Sequence, residues 1–140
     1  MSNPLDLLSP DAVARLRHSL RTPLNHIVGY AEVVYRQAKD QGASAEMKLM
    51  EEVAASARKI GDMVSEALPA NSHVGEGSIS RLRDAMRGYV ERIASALDRF
   101  QQLSRGACET EIGRIRNATR QLLDFARSGA PGPAGDNDGA

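Results

Sequence analysis

Among its 140 residues the sequence holds no tryptophan, two phenylalanines, three tyrosines and a single cysteine. With so few aromatics, a core must be built from Leu, Ile, Val, Met and Ala. That set suits close-packed helices better than a sandwich of sheets. One cysteine, Cys108, excludes a disulfide framework within the chain and fits a reducing, cytoplasmic setting. Neither sign of charge is in excess: 18 basic and 18 acidic residues cancel, so bulk charge gives no case for binding nucleic acid or a membrane surface. No unbroken apolar span and no signal peptide is present, so membrane insertion by this chain is not expected, whatever a longer parent protein would do. His26, His73 and Cys108 do not form a set at zinc spacing, and no cofactor is expected on the chain itself. The length suits one small domain.

What is there is helical periodicity. Ser9-Pro10-Asp11 supplies a hydroxyl cap, a proline at the first helical position and an acid in the first turn. From there Val13, Leu16, Leu20, Leu24, Ile27, Ala31 and Val34 recur every three or four positions, and the pattern fades at Lys39-Asp40-Gln41-Gly42. A second helix is expected over Ser44–Leu68, with Met50, Val53, Ile60, Met63 and Val64 inward. Residues 69–77 (PANSHVGEG) read as a connector. A third helix is expected from Ser80 or its neighbours through Leu103, and a fourth from Cys108 to Ala126. Tyr30, Met63 and Phe125 read as packing residues. Residues 128–140 lack apolar periodicity and read as a disordered tail or linker.

The third helix repeats the first. LRHSLRTPLNHI at 16–27 lies over LRDAMRGYVERI at 82–93: Leu16 meets Leu82, a shift of 66, and Arg17, Leu20, Arg21, Leu24 and Ile27 meet Arg83, Met86, Arg87, Val90 and Ile93. The second arms align at a shift of 62, with Val53, Arg58, Ile60 and Asp62 over Ile115, Arg120, Leu122 and Asp124. The change of shift predicts a second hairpin loop four residues shorter than the first. One helical hairpin cannot enclose its apolar stripes, but two can. The expected architecture is therefore all-α: a four-helix bundle over residues 9–127, made of tandem antiparallel hairpins at 9–68 and 78–127. One chain supplies both halves, and a further homodimer stays open should an apolar patch be left uncovered.

Within LRHSLRTPLNHIVGY, at residues 16–30, the inward positions put His18 almost opposite the core. Thr22 lies one turn on along nearly the same face, with Asn25 continuing the line. Pro23 has no N–H for the carbonyl of Ser19, and its ring crowds that carbonyl, so the helix should bend or loosen just beyond His18. A neutral, exposed imidazole is a nucleophile near physiological pH. Arg15, Arg17 and Arg21 make a local positive cluster around it. They read either as solvated helix surface or as groups that steer an acidic partner and neutralise transferred charge.

The stretch HSLRTPLNHIVGYAE, from His18 to Glu32, resembles the phosphoacceptor box of the dimerisation and histidine-phosphotransfer domain of sensor histidine kinases. In that family a helical hairpin dimerises into a four-helix bundle. The resemblance implies that His18 carries a phosphoryl group, that Pro23 is the bend, and that Thr22 helps a water attack the phosphorylated partner. It implies a receiver-domain protein as partner, bringing its own Mg2+ and acidic pocket. Arg21 joins His18 and Thr22 as a candidate site residue.

The chain also departs from that pattern. The residue after the histidine is usually acidic in the kinases, whereas here it is Ser19, a poor base at neutral pH. No glycine-rich phosphate loop is present, so autonomous ATP-driven phosphorylation is not expected. In the second hairpin Asp84 replaces the histidine and Gly88 replaces Thr22, so that half reads as structural and Asp84 is not expected to be phosphorylated. The expected activity is histidine phosphotransfer in two-component signalling. Two alternatives stand beside it: a bundle portion of a longer sensor kinase or signalling enzyme, and a non-catalytic regulatory bundle that docks a signalling partner.

Overall fold

The structure, a computed structural model, describes residues 7–128. Four helices account for most of them: α1 Pro10–Asp40, α2 Ser44–Ala67, α3 Glu76–Ser104 and α4 Glu109–Ser128. Each helix packs against two others, in the ring α1–α2–α3–α4–α1, so the chain runs up, down, up and down around one core. The four-helix, all-α bundle expected from the sequence is present within a single chain. The expected tail lies, from residue 129 onward, outside the described residues.

Helix α1 begins as its sequence dictates. Ser9 is the N-cap and its Oγ accepts from the Ala12 amide at 3.2 Å, with Pro10 at the first helical position and Asp11 in the first turn. All seven inward positions read from the periodicity are buried, and Pro23 and Ala38 join them. The repeat extends through the core: Val13, Ala31 and Val34 meet Ile79, Leu97 and Phe100 at the same shift of 66, and every pair is buried. At these three positions the α3 residue is larger than its α1 counterpart.

The helix ends differ from expectation in two places. Helix α3 starts at Glu76 rather than near Ser80, because Gly75 takes the extended N-cap conformation and Glu76 suits a first turn. The first buried residue is Ile79, so the opening residues carry no inward side chain for periodicity to register. Nor is the second hairpin loop the shorter one. Residues 41–43 join α1 to α2, whereas 105–108 join α3 to α4. The difference in shift is absorbed by earlier termination of α3 and later initiation of α4, where Arg105, Gly106 and Cys108 all take positive φ. Left-handed backbone at Cys108 sets the start of α4 at Glu109, one residue later than expected.

At the opposite end, residues 68–75 link α2 to α3. Leu68 and Val74 are buried there, and an isolated antiparallel bridge joins Leu8 to Val74 through amide–carbonyl bonds of 2.8 and 3.2 Å. The segment before α1 and the α2–α3 connector thereby close the end of the bundle nearest His18.

Candidate functional site around His18

His18 lies on the second to third turn of α1 and is exposed, as the helical wheel requires. Its imidazole makes no hydrogen bond or ion pair among the described residues, while its carbonyl accepts from the Thr22 hydroxyl at 3.1 Å. Thr22 is exposed one turn on, leaving its oxygen lone pairs free to accept from water. Ser19 donates to the Arg15 carbonyl at 3.0 Å, so its hydroxyl faces its own helix rather than the imidazole of His18. Such back-bonding by Ser and Thr tends to bend a helix. The helix continues unbroken through Pro23, and the ring of Pro23 is buried on the core side.

The arginine cluster divides. Arg15 is exposed, but Arg17 and Arg21 reach sideways to the C-terminal end of α2. Arg17 Nη1 donates to the Leu68 carbonyl at 2.9 Å, and Arg21 Nη2 donates to Ser65 Oγ at 2.7 Å. Cations at a helix C-terminus satisfy orphan carbonyls and complement the helix dipole. The repeat-mate of Arg21 behaves alike: Arg87 donates to the Ala126 carbonyl of α4 at 3.0 Å. The two arginines thus tie α1 beneath His18 to the C-terminal end of α2. This pinning could not be read from α1 alone. Its signal in the repeat was the recurrence of Arg21 as Arg87.

Asp84, at the repeat position of His18, is exposed and lies 3.7 Å from Arg87 on its own helix. No group of three or more His, Cys, Asp or Glu able to hold a metal occurs among the described residues. The other histidine of the motif, His26, stands edge-on to the half-buried Tyr30 at 6.4 Å, and Arg114 of α4 lies over the same ring at 5.7 Å. Tyr30 therefore both packs on the core, as expected, and carries a polar stack on the α1–α4 face. The spacing of His26 and Tyr30, one turn apart, was its sequence signal. A cavity of about 530 Å3, lined by Met63, His73, Arg81 and neighbours, lies between the end of α2 and the start of α3; neither His18 nor Thr22 lines it. No helix among the described residues is long and apolar enough to cross a membrane. Comparison of the chain with protein-family models, curated proteins and solved structures gives no match to any of them.

Proposed function

We propose that the chain is a histidine phosphotransfer bundle that exchanges a phosphoryl group between His18 and an aspartate of a receiver domain. The observation that carries this reading is a solvent-facing imidazole, without a competing partner, on a helix whose backbone is pinned to α2 by Arg17 and Arg21. In the transfer a ring nitrogen lone pair attacks the phosphorus of the aspartyl phosphate. The N–P bond forms as the acyl O–P bond breaks, and the aspartate carboxylate leaves with the electron pair. The receiver brings the Mg2+; this chain supplies the nucleophile, the positive surroundings of Arg15, Arg17 and Arg21, and Thr22 within one turn. Ser19, turned onto the Arg15 carbonyl, fits a bundle that receives phosphate without ATP-driven autophosphorylation.

The test is incubation with a receiver charged by acetyl phosphate, followed by mapping of acid-labile, base-stable phosphate. Wild type should carry it on His18; His18→Gln should carry none while keeping its helical circular dichroism. Equal phosphate on both proteins would overturn the assignment. Base-labile acyl phosphate on Asp84, mapped without alkaline treatment, would overturn the asymmetry between the halves. Thr22→Ala should still accept phosphate, but should clear it from the receiver more slowly. Complex formation without transfer to either protein would favour the docking bundle.

A further inference from the structure

The internal repeat allows the two hairpins to be compared groove by groove, and they differ. Between α3 and α4, Arg116 lies across the groove: its Nη2 reaches Asp98 Oδ1 at 2.7 Å and also bonds Gln101. Under shifts of 66 and 62, Asp98, Gln101 and Arg116 correspond to Glu32, Tyr35 and Ala54. In the first hairpin the acid is retained and the arginine is lost. What remains between α1 and α2 is an open groove of about 220 Å3, lined by Val28, Ala31, Glu32, Tyr35, Ala54 and Arg58 among others.

The floor and the rim both suit a guanidinium on an aliphatic stem. Ala31 and Met50 are buried beneath, and Val28 and Ala54 are half-buried apolar walls on which methylenes can lie. Glu32 and Glu51 line the groove together with Arg58. Glu32 is exposed and only 4.0 Å from Arg36, a loose contact on its own helix that leaves its carboxylate available. Tyr35, in the place of Gln101, adds a ring face for a cation. We infer that the α1–α2 groove takes an arginine side chain presented by a partner protein, in the way the α3–α4 groove takes Arg116 from its own chain. Because the second groove is already occupied, docking of this kind is one-sided, one partner to each chain. The inference is independent of phosphotransfer at His18.

The test is an NMR titration of the full chain with N-acetyl-arginine methylamide, using N-acetyl-norleucine methylamide as the uncharged control with a similar stem. Wild type should show saturable shifts at Ala31, Tyr35 and Ala54 with the arginine probe, and weak, non-saturating ones with norleucine. Ala54→Arg combined with Tyr35→Gln copies the closed groove and should abolish them. Glu32→Gln keeps size and should weaken them, which decides the matter should the double variant fail to fold. Arg116→Ala should add a second set of shifts around Asp98. Equal response to both probes, or saturation unaffected by Glu32→Gln, would overturn the inference. Wild-type shifts around Asp98 equal to those at Ala54 would overturn the one-sidedness. The titration uses no phosphate, so its failure leaves the role of His18 untouched, and the converse holds too.

Discussion

Replacing Arg17 by alanine tests whether the arginines beneath His18 hold the bundle end or merely decorate it. The guanidinium donates to the Leu68 carbonyl at 2.9 Å from a half-buried position. A hydrogen bond from a charged donor contributes about 1.5–3 kcal/mol, and loss of a cation at a helix C-terminus adds about 0.3–1 kcal/mol. Water can partly replace the donor at this surface, so the expected net cost is about 2 kcal/mol. For a domain of this size that lowers Tm by about 6–8 °C. The internal repeat supplies the control. Arg83 occupies the matching place on α3, is also half-buried, and makes no hydrogen bond or ion pair among the described residues. Arg83→Ala removes the same stem and charge and should stay within about 0.5 kcal/mol of wild type. Arg87→Ala, which loses the bond to the Ala126 carbonyl, should resemble Arg17→Ala. Urea melts followed by circular dichroism give all three values. Equal losses for Arg17→Ala and Arg83→Ala would refute the hydrogen-bond account and leave only packing of the stems.

Three further outcomes are expected. Pro23→Ala restores a helical donor worth about 3 kcal/mol and gives up about 1–1.5 kcal/mol of apolar burial, so the variant should be more stable; a lower Tm would show that the buried ring matters more than the missing bond. Arg105 is held at φ 53, so Arg105→Gly should raise stability by about 0.5–1 kcal/mol in the same melts; a loss would mean that the arginine side chain holds the turn. Burial, and then the charge of Glu111, pushes the Cys108 thiol above its ordinary pKa. The folded state thus keeps this proton more tightly than the unfolded chain. Its contribution is intact below the ordinary thiol pKa and is lost as pH rises from there towards the raised value. Cys108→Ser should therefore lose less stability than wild type between neutral and alkaline pH, and iodoacetamide should modify native Cys108 more slowly than the denatured chain.

Much of this molecule was legible before folding, for a reason that also marks where legibility stops. A stripe of apolar side chains records burial directly, so Val13 to Val34 on α1 could be assigned inward and His18 outward from spacing alone. The opening residues of α3, Glu76 to Ser78, leave no such record, since none is fully buried and their helicity follows from Gly75 and the turns behind them. The loop at residues 105–108 was misjudged because backbone sign at Arg105 and Cys108 is carried by residue types that seldom adopt it. At the site, exposure of His18 was readable, but the contacts of Arg17 and Arg21 depend on where α2 ends in space. The difference between Ala54 and Arg116 was present in the aligned repeats, yet it acquires meaning only when Asp98 and Gln101 are seen to share that guanidinium.

The linker at residues 68–75 has a consequence for behaviour under dilution. Two separate hairpins would find each other by collision, and their assembly would weaken as concentration fell. Joined through Leu68 and Val74, both buried at the closed end, the second hairpin is held at a high effective concentration beside the first whatever the number of molecules in the cell. Hairpin assembly becomes a first-order event, insensitive to expression level. Each half can also diverge alone, because no symmetry operator forces a change in one hairpin to appear in the other. An aspartate can stand where its counterpart has a histidine, and an arginine can fill one groove while the other stays open.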